Sequence, residues 1–130
     1  QRVPVTAALI VTTPQEVALA DVRRGAAMFA KTEVPVLGVV ETMSWFEDPA
    51  GTRHYLMGQG GGAATAAALG LPLLAELPML QAIREGGDAG KPAALSDAAA
   101  GQLFHELARR VAIELDGLTS RPTPEIVFED

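Results

Sequence analysis

The stretch from Ala7 to Ser44 constrains this chain more than any other, because its hydrophobic pattern changes period twice. ALIVTT is a short, β-branched apolar run. PQEVALADVRRGAAMF has helical spacing, and VPVLGVV is a second apolar run that ends in ETMS. Strand, helix, strand in that order describes a βαβ unit, whose helical crossover makes the strands parallel. Ligands of open parallel sheets bind beyond the carboxyl ends of the strands. Thr12, Thr13 and Gln15 after the first strand, and Glu41, Thr42, Met43 and Ser44 after the second, therefore stand where chemistry is expected.

Local signals fill in the unit. Val5 to Thr12 lies between prolines and reads as a strand buried on both faces. Thr13 suits a helix N-cap, Pro14 the first helical position, and Glu16 falls three residues after the cap. Ala18, Val22, Gly25 and Phe29 mark the apolar face of that helix. Glycine inside a helix costs about 1 kcal/mol relative to alanine, so Gly25 is expected to pack closely against the sheet. Pro35 opens the second strand, Val36 to Val40.

Beyond Ser44 the pattern changes. Trp45-Phe46 and Tyr55-Leu56-Met57 flank Asp48-Pro49-Ala50-Gly51, which has turn chemistry, so residues 45–57 form a small hairpin arm. GQGGG (58–62) leads into an alanine-rich helix that ends near Leu69 and Gly70. Pro72 to Leu77 is a third short strand, Met79 to Glu85 a short helix, and Gly86 to Pro92 a loop. A last helix starts near Asp97, carries Leu103, Leu107, Val111 and Leu115 on one stripe, and stops at Gly117. Residues 118–130 form a proline-bearing tail, and 1–117 the folded unit. The expected class is α/β: a partial doubly wound parallel sheet with a long unprotected edge, to be completed by sequence from elsewhere. The opening residue is Gln1 rather than Met, which fits a piece of a longer polypeptide.

Charge and composition exclude several functions. Ten basic against 16 acidic residues give a net charge of −6, which disfavours nucleic acid and anionic membrane surfaces as partners. No apolar run approaches the ~18 residues that span a bilayer, and no charged-then-apolar leader opens the chain; the expected compartment is the cytoplasm. With no cysteine, this chain supplies no thiolate for zinc or for an iron–sulfur cluster. His54 and His105 have no His or Cys partner at ligand spacing and read as surface or packing residues.

Two glycine-rich stretches imitate ligand loops. Gly58, Gly60 and Ala63 match G-x-G-x-x-A, but a dinucleotide fingerprint wants a strand directly before it and an acidic residue at a strand end about 20 positions later. Glu76 has the spacing but is expected inside the third strand. A connection into a helix N-terminus is the better reading, with free N–H groups able to meet an anion. GGDAGKP has one residue too few for a Walker loop, and Pro92 stands where Ser or Thr would hold Mg²⁺. Asp88 and Lys91 are then loop residues open to nucleotide or partner.

IVTTPQEVAL, the Asp21–Gly25 stretch, VPVLGVVE-x-MS, G-x-GGG, LPLLAELP and IREGGDAGKP, in that order, resemble the carboxyl-terminal half of the Mrp/ApbC family of P-loop ATPases. These are iron–sulfur cluster carriers related to MinD and ParA, and the resemblance covers about Val5 to Leu115. It implies the distal half of a P-loop NTPase fold, with the Walker A loop and Mg²⁺-holding aspartate upstream of the matched region. It further implies an intact protein that binds and hydrolyses ATP as a homodimer and serves iron–sulfur client proteins. The family's adenine-contacting Asn falls at Thr42, which has shorter reach and no paired amide donor and acceptor. Pro78 and Met79, after the last strand, fall where relatives line the base pocket. Glu41 and Asp88 complete the set expected near nucleotide. Carriers have a Cys-x-x-Cys pair in the arm, whereas here the arm reads WFEDPAGTRHYLMG, with Glu47, Asp48 and His54 at most a hard-metal set. ATP and Mg²⁺ are therefore the expected cofactors of the intact protein. A cluster held by this chain is not expected, nor is ATPase activity from these residues alone. The alternatives are a non-catalytic, ParA/MinD-like interaction or regulatory module and, on G-x-G-x-x-A only, a dinucleotide-dependent oxidoreductase.

Overall fold

The computed structural model describes residues 4–119. The βαβ unit is present: β1 (Ala8–Thr12), α1 (Glu16–Lys31) and β2 (Val36–Glu41). β3 (Phe46–Glu47) and β4 (Arg53–His54) pair antiparallel as the arm, and α2 (Gly61–Ala68) follows. β5 (Leu73–Glu76), α3 (Gln81–Asp88), a 3₁₀ turn (Ala93–Leu95) and α4 (Ala99–Thr119) complete the described chain. β1, β2 and β5 form one parallel sheet in that order, with Thr12 beside Glu41 and Glu41 beside Glu76. That register brings the ends of all three strands to one level.

Helices cover both faces. Ile10 and Val39 meet Val22 of α1 and Ala66 of α2, with Ala26, Leu69, Leu71 and Leu73 around them. On the opposite face Val40, Leu74 and Leu77 pack under Leu103, Phe104, Leu107 and Val111 of α4. The expected α4 stripe thus does bury the sheet.

β1 departs from expectation. Alternation along a strand sends Ile10 and Thr12 to the α1 face and Leu9 and Val11 to the other. Leu9 is 36% and Val11 60% exposed, because α4 lies over β2 and β5 and stops short of the outer strand. The helix start differs as well. Gln15, not Thr13, is the N-cap, and Leu19 N–H donates to Gln15 O at 3.0 Å. Thr13 Oγ1 instead donates to Gln15 Oε1 at 3.2 Å, and Pro14 lies buried before the helix. Gly25 is not held by close packing, since a Cβ placed there would meet nothing within 4 Å; Leu19 and Val22 are the buried side chains of α1.

Three further boundaries move. Glu76 is the last residue of β5 rather than an interior one, Asp88 ends α3 rather than lying in a loop, and α4 runs through Gly117 to Thr119. Most of the expected tail, residues 120–130, lies outside the described residues.

Candidate functional site

Three post-strand segments meet at the carboxyl end of the sheet, and backbone hydrogen bonds lace them together. Thr42 N–H donates to Thr12 O at 2.7 Å, joining the exits of β2 and β1. Leu77 N–H donates to Glu41 O at 2.8 Å and Ser44 N–H to Leu77 O at 2.9 Å, joining the exits of β2 and β5. Met79 N–H then reaches Trp45 O at 2.7 Å, so the root of the arm belongs to the same lattice. Thr12, Thr42, Pro78 and Met79, far apart in sequence, therefore share one rim.

Thr42 is half-buried, and its hydroxyl lies 3.4 Å from Thr12 O. Thr12 is buried and donates to Thr13 O at 2.9 Å. Between Thr42 and Ser44 the chain passes through Met43 at φ 53°, a left-handed conformation for a residue with a long side chain. Such outliers persist only where the surroundings impose them, and they concentrate at functional sites. Met43 is also exposed, so nothing in the core asks for it. A cavity of about 470 Å³ opens beside this rim, along the outer side of β1, lined by Val11, Thr12, Thr13, Asp21, Gly25 and Thr42 among others.

Glu41 has a different place from the one its position in the sequence suggests. It is 2% exposed, and both carboxylate oxygens are engaged within the protein. Oε2 accepts from Ser44 Oγ at 2.6 Å and Oε1 from Gly62 N at 2.9 Å. Gly62 stands in the first turn of α2, where N–H groups have no partner inside the helix. The Gly62 N–H at this helix N-terminus is thus already taken up by the Glu41 side chain. A Cβ on Gly62 would sit 2.7 Å from Glu41 Oε1, and one on Gly61 2.7 Å from Pro14 O, so the glycines serve close approach rather than a nucleotide loop. No strand of the parallel sheet leads directly into GQGGG either; the two-stranded arm does.

Asp88 is not part of the rim lattice; its partner is Arg84 on its own helix, at 2.9 Å. His105 Nε2 lies 2.7 Å from Ala94 O and ties α4 to the 3₁₀ turn.

In the arm, Asp48 organises the turn. Its Oδ1 accepts from Ala50 N at 2.9 Å and Thr52 N at 3.0 Å, and Oδ2 lies 2.8 Å from His54 Nε2. The His54 hydrogen bond first, then that of Thr52 N–H, holds the Asp48 carboxyl below its ordinary value. Arg53 stacks over Trp45 at 4.0 Å, and Phe46 and His54 have ring centroids 6.2 Å apart. Phe46, Tyr55 and Leu56 are exposed. Among the described residues no three His, Cys, Asp or Glu side chains converge on a metal position, the Glu47–Asp48–His54 set included. No described helix is long and apolar enough to cross a membrane.

Comparison with known proteins fits this geometry. The model of a family described as ParA: NUBPL iron-transfer P-loop NTPase matches residues 1–112. An iron–sulfur cluster carrier protein of Pseudomonas fragi is 48% identical over 98 residues, covering 75% of this chain and 34% of that protein. The mitochondrial iron–sulfur protein required for NADH dehydrogenase of Arabidopsis thaliana is 41% identical over 129 residues, covering 97% of this chain and 41% of that protein. Among solved structures, a nucleotide-binding protein of Archaeoglobus fulgidus in complex with ADP is similar at 35% identity and a TM-score of 0.58, over 66% of this chain and 36% of the other. The chain therefore spans roughly two-fifths or less of each protein it matches here.

Proposed function

The chain belongs to the ParA/NUBPL family of iron-transfer P-loop NTPases, and from that premise we propose that its sheet end forms the base-side wall of an ATP site in an iron–sulfur cluster carrier. The observation that carries the reading is the lacing of Thr12, Thr42, Leu77 and Met79 into one rigid rim at the carboxyl end of a parallel sheet. ATP, when bound, supplies a phosphoryl group whose transfer drives the cycle. The residues here bind and orient rather than react. The Thr42 hydroxyl, whose proton is directed to Thr12 O, offers an acceptor to a base edge, and Pro78 and Met79 offer apolar surface to its face. Glu41 lies behind this surface and Asp88 on α3, so both are weaker candidates for contact.

The cluster is cargo on this reading. No thiolate comes from these residues, so its ligands belong to other segments or to a client. Homodimer formation, hydrolysis and a cytoplasmic setting are parts of the same proposal. Relatives include a bacterial carrier and a mitochondrial protein, which leaves the compartment to be fixed by localisation of the natural chain. A second reading, a non-catalytic interaction module, is favoured by the exposed Phe46, Tyr55 and Leu56 on the arm.

Substitution of Thr42 separates the two. In the full-length protein Thr42→Asn should strengthen ATP over GTP binding by about tenfold, the scale of one added hydrogen bond to a base. Equilibrium dialysis with both nucleotides reads the ratio. An unchanged ratio, or no nucleotide binding by the wild type, would favour the interaction module.

A further inference from the structure

Among the described residues Glu41 is the one fully buried carboxylate at the sheet end, and both its oxygens are taken up within the protein. Its two oxygens reach to opposite ends of the arm: Ser44, immediately before Trp45, and Gly62, shortly after Met57. One side chain from the end of β2 thereby holds both roots of the arm against the rim. The Ser44 bond also closes the turn from Glu41 to Ser44, which contains Thr42 and Met43 at φ 53°. The fit is tight on the helix side, where a Cβ at position 62 would stand 2.7 Å from Oε1 and 3.1 Å from the Glu41 Cβ.

We propose that Glu41 is a positioning residue: by clamping both roots of the arm it sets Thr42 on the rim and couples the setting of the arm to nucleotide affinity. The coupling rests on the nucleotide reading above; the clamp does not. Coupling between sites is reciprocal, so whatever holds the arm raises nucleotide affinity, and nucleotide in turn steadies the arm. Glutamine can replace the clamp in kind. Its amide oxygen accepts from Gly62 N–H, and its amide NH₂ donates to Ser44 Oγ. Alanine cannot.

The test uses the full-length protein with Glu41→Gln, Glu41→Ala, Gly62→Ala and Ser44→Ala, the last removing only one of the bonds. Hydrogen–deuterium exchange of residues 43–66 is followed with and without ATP, alongside ATP and GTP affinities. Without nucleotide, Glu41→Ala and Gly62→Ala should speed arm exchange by about tenfold or more, and Ser44→Ala by less. ATP should slow arm exchange in the wild type and in Glu41→Gln but not in Glu41→Ala. ATP affinity should fall by about tenfold in Glu41→Ala and recover in Glu41→Gln. Unchanged arm exchange in Glu41→Ala overturns the clamp. Faster exchange with unchanged ATP affinity overturns the positioning role, as does a Glu41→Gln protein that behaves like Glu41→Ala. A wild type that binds no ATP while Glu41→Ala still loosens the arm overturns the nucleotide reading and leaves the clamp standing.

Discussion

The two edges of the sheet are finished differently. At β5 the guanidinium of Arg110, from α4, donates to the carbonyls of Leu74 and, at 3.1 Å, of Leu73. The apolar stripe of α4 covers the same strand from above. At β1 no described strand pairs with the outer side, and Leu9 and Val11 face solvent. An edge strand offers unpaired N–H and C=O groups to any strand that approaches, and charged side chains are a usual guard. One edge here has its guard, while the other keeps its hydrogen-bonding row and apolar side chains available. Among the described strands, β1 is thus the open edge and β5 the guarded one.

The largest test of that contrast is a pair of core deletions. Leu74→Ala, beside the guarded edge and 1% exposed, should cost about 2–5 kcal/mol of stability, whereas Val11→Ala on the open side should stay within about 0.5 kcal/mol. Denaturant midpoints of the 130-residue chain read both. A large loss at Val11 would mean that something covers β1 after all.

Next in size is Arg110→Ala, which uncovers carbonyls that a charged donor had satisfied. A loss of about 1–3 kcal/mol is expected, with Arg110→Lys recovering only part because lysine has no fork to span two carbonyls. Sedimentation velocity should also show new concentration-dependent association. If association is unaltered, the guard is not Arg110.

The smallest effect belongs to the arm, which touches neither edge. The carboxyl of Asp48 is held below its ordinary value of 3.8 by His54 and the turn amides. A lowered folded pKa means stabilisation that is complete above the unfolded value and is lost as pH falls through the folded one. Amide shifts of Ala50 and Thr52 should therefore move only below about pH 4, while amides of β1 and β5 stay still. Asp48→Asn should remove the titration.

Much of this architecture was legible because it is periodic or local. The βαβ unit, the third parallel strand, the DPAG turn of the arm and the α4 stripe all follow from spacing and turn chemistry within a few residues. What was misread depends on partners distant in sequence. Thr13 is an adequate cap, but Pro14 and Gln15 set the entry of the chain, and the helix begins later. Gly25 looked like a packing glycine, yet α1 turns Leu19 and Val22 inward instead. Glu41 and Gly62 are 21 residues apart, and Arg110 and Leu74 are 36 apart. No window that detects strands and helices spans such distances. A signal for the clamp did exist in the sequence: a carboxylate at a strand end and a glycine run at the next helix start are complementary, an anion and a row of free N–H groups.

The stacking of Arg53 on Trp45 has a practical consequence. Trp45 is the one tryptophan of the chain, half-buried, 4.0 Å beneath a cation, at the point where the arm leaves the sheet. The chain thus carries its own fluorophore at the joint that a docking protein would disturb. Excitation near the red edge of protein absorbance would register the displacement of Arg53 as a change in colour and brightness, with no dye attached.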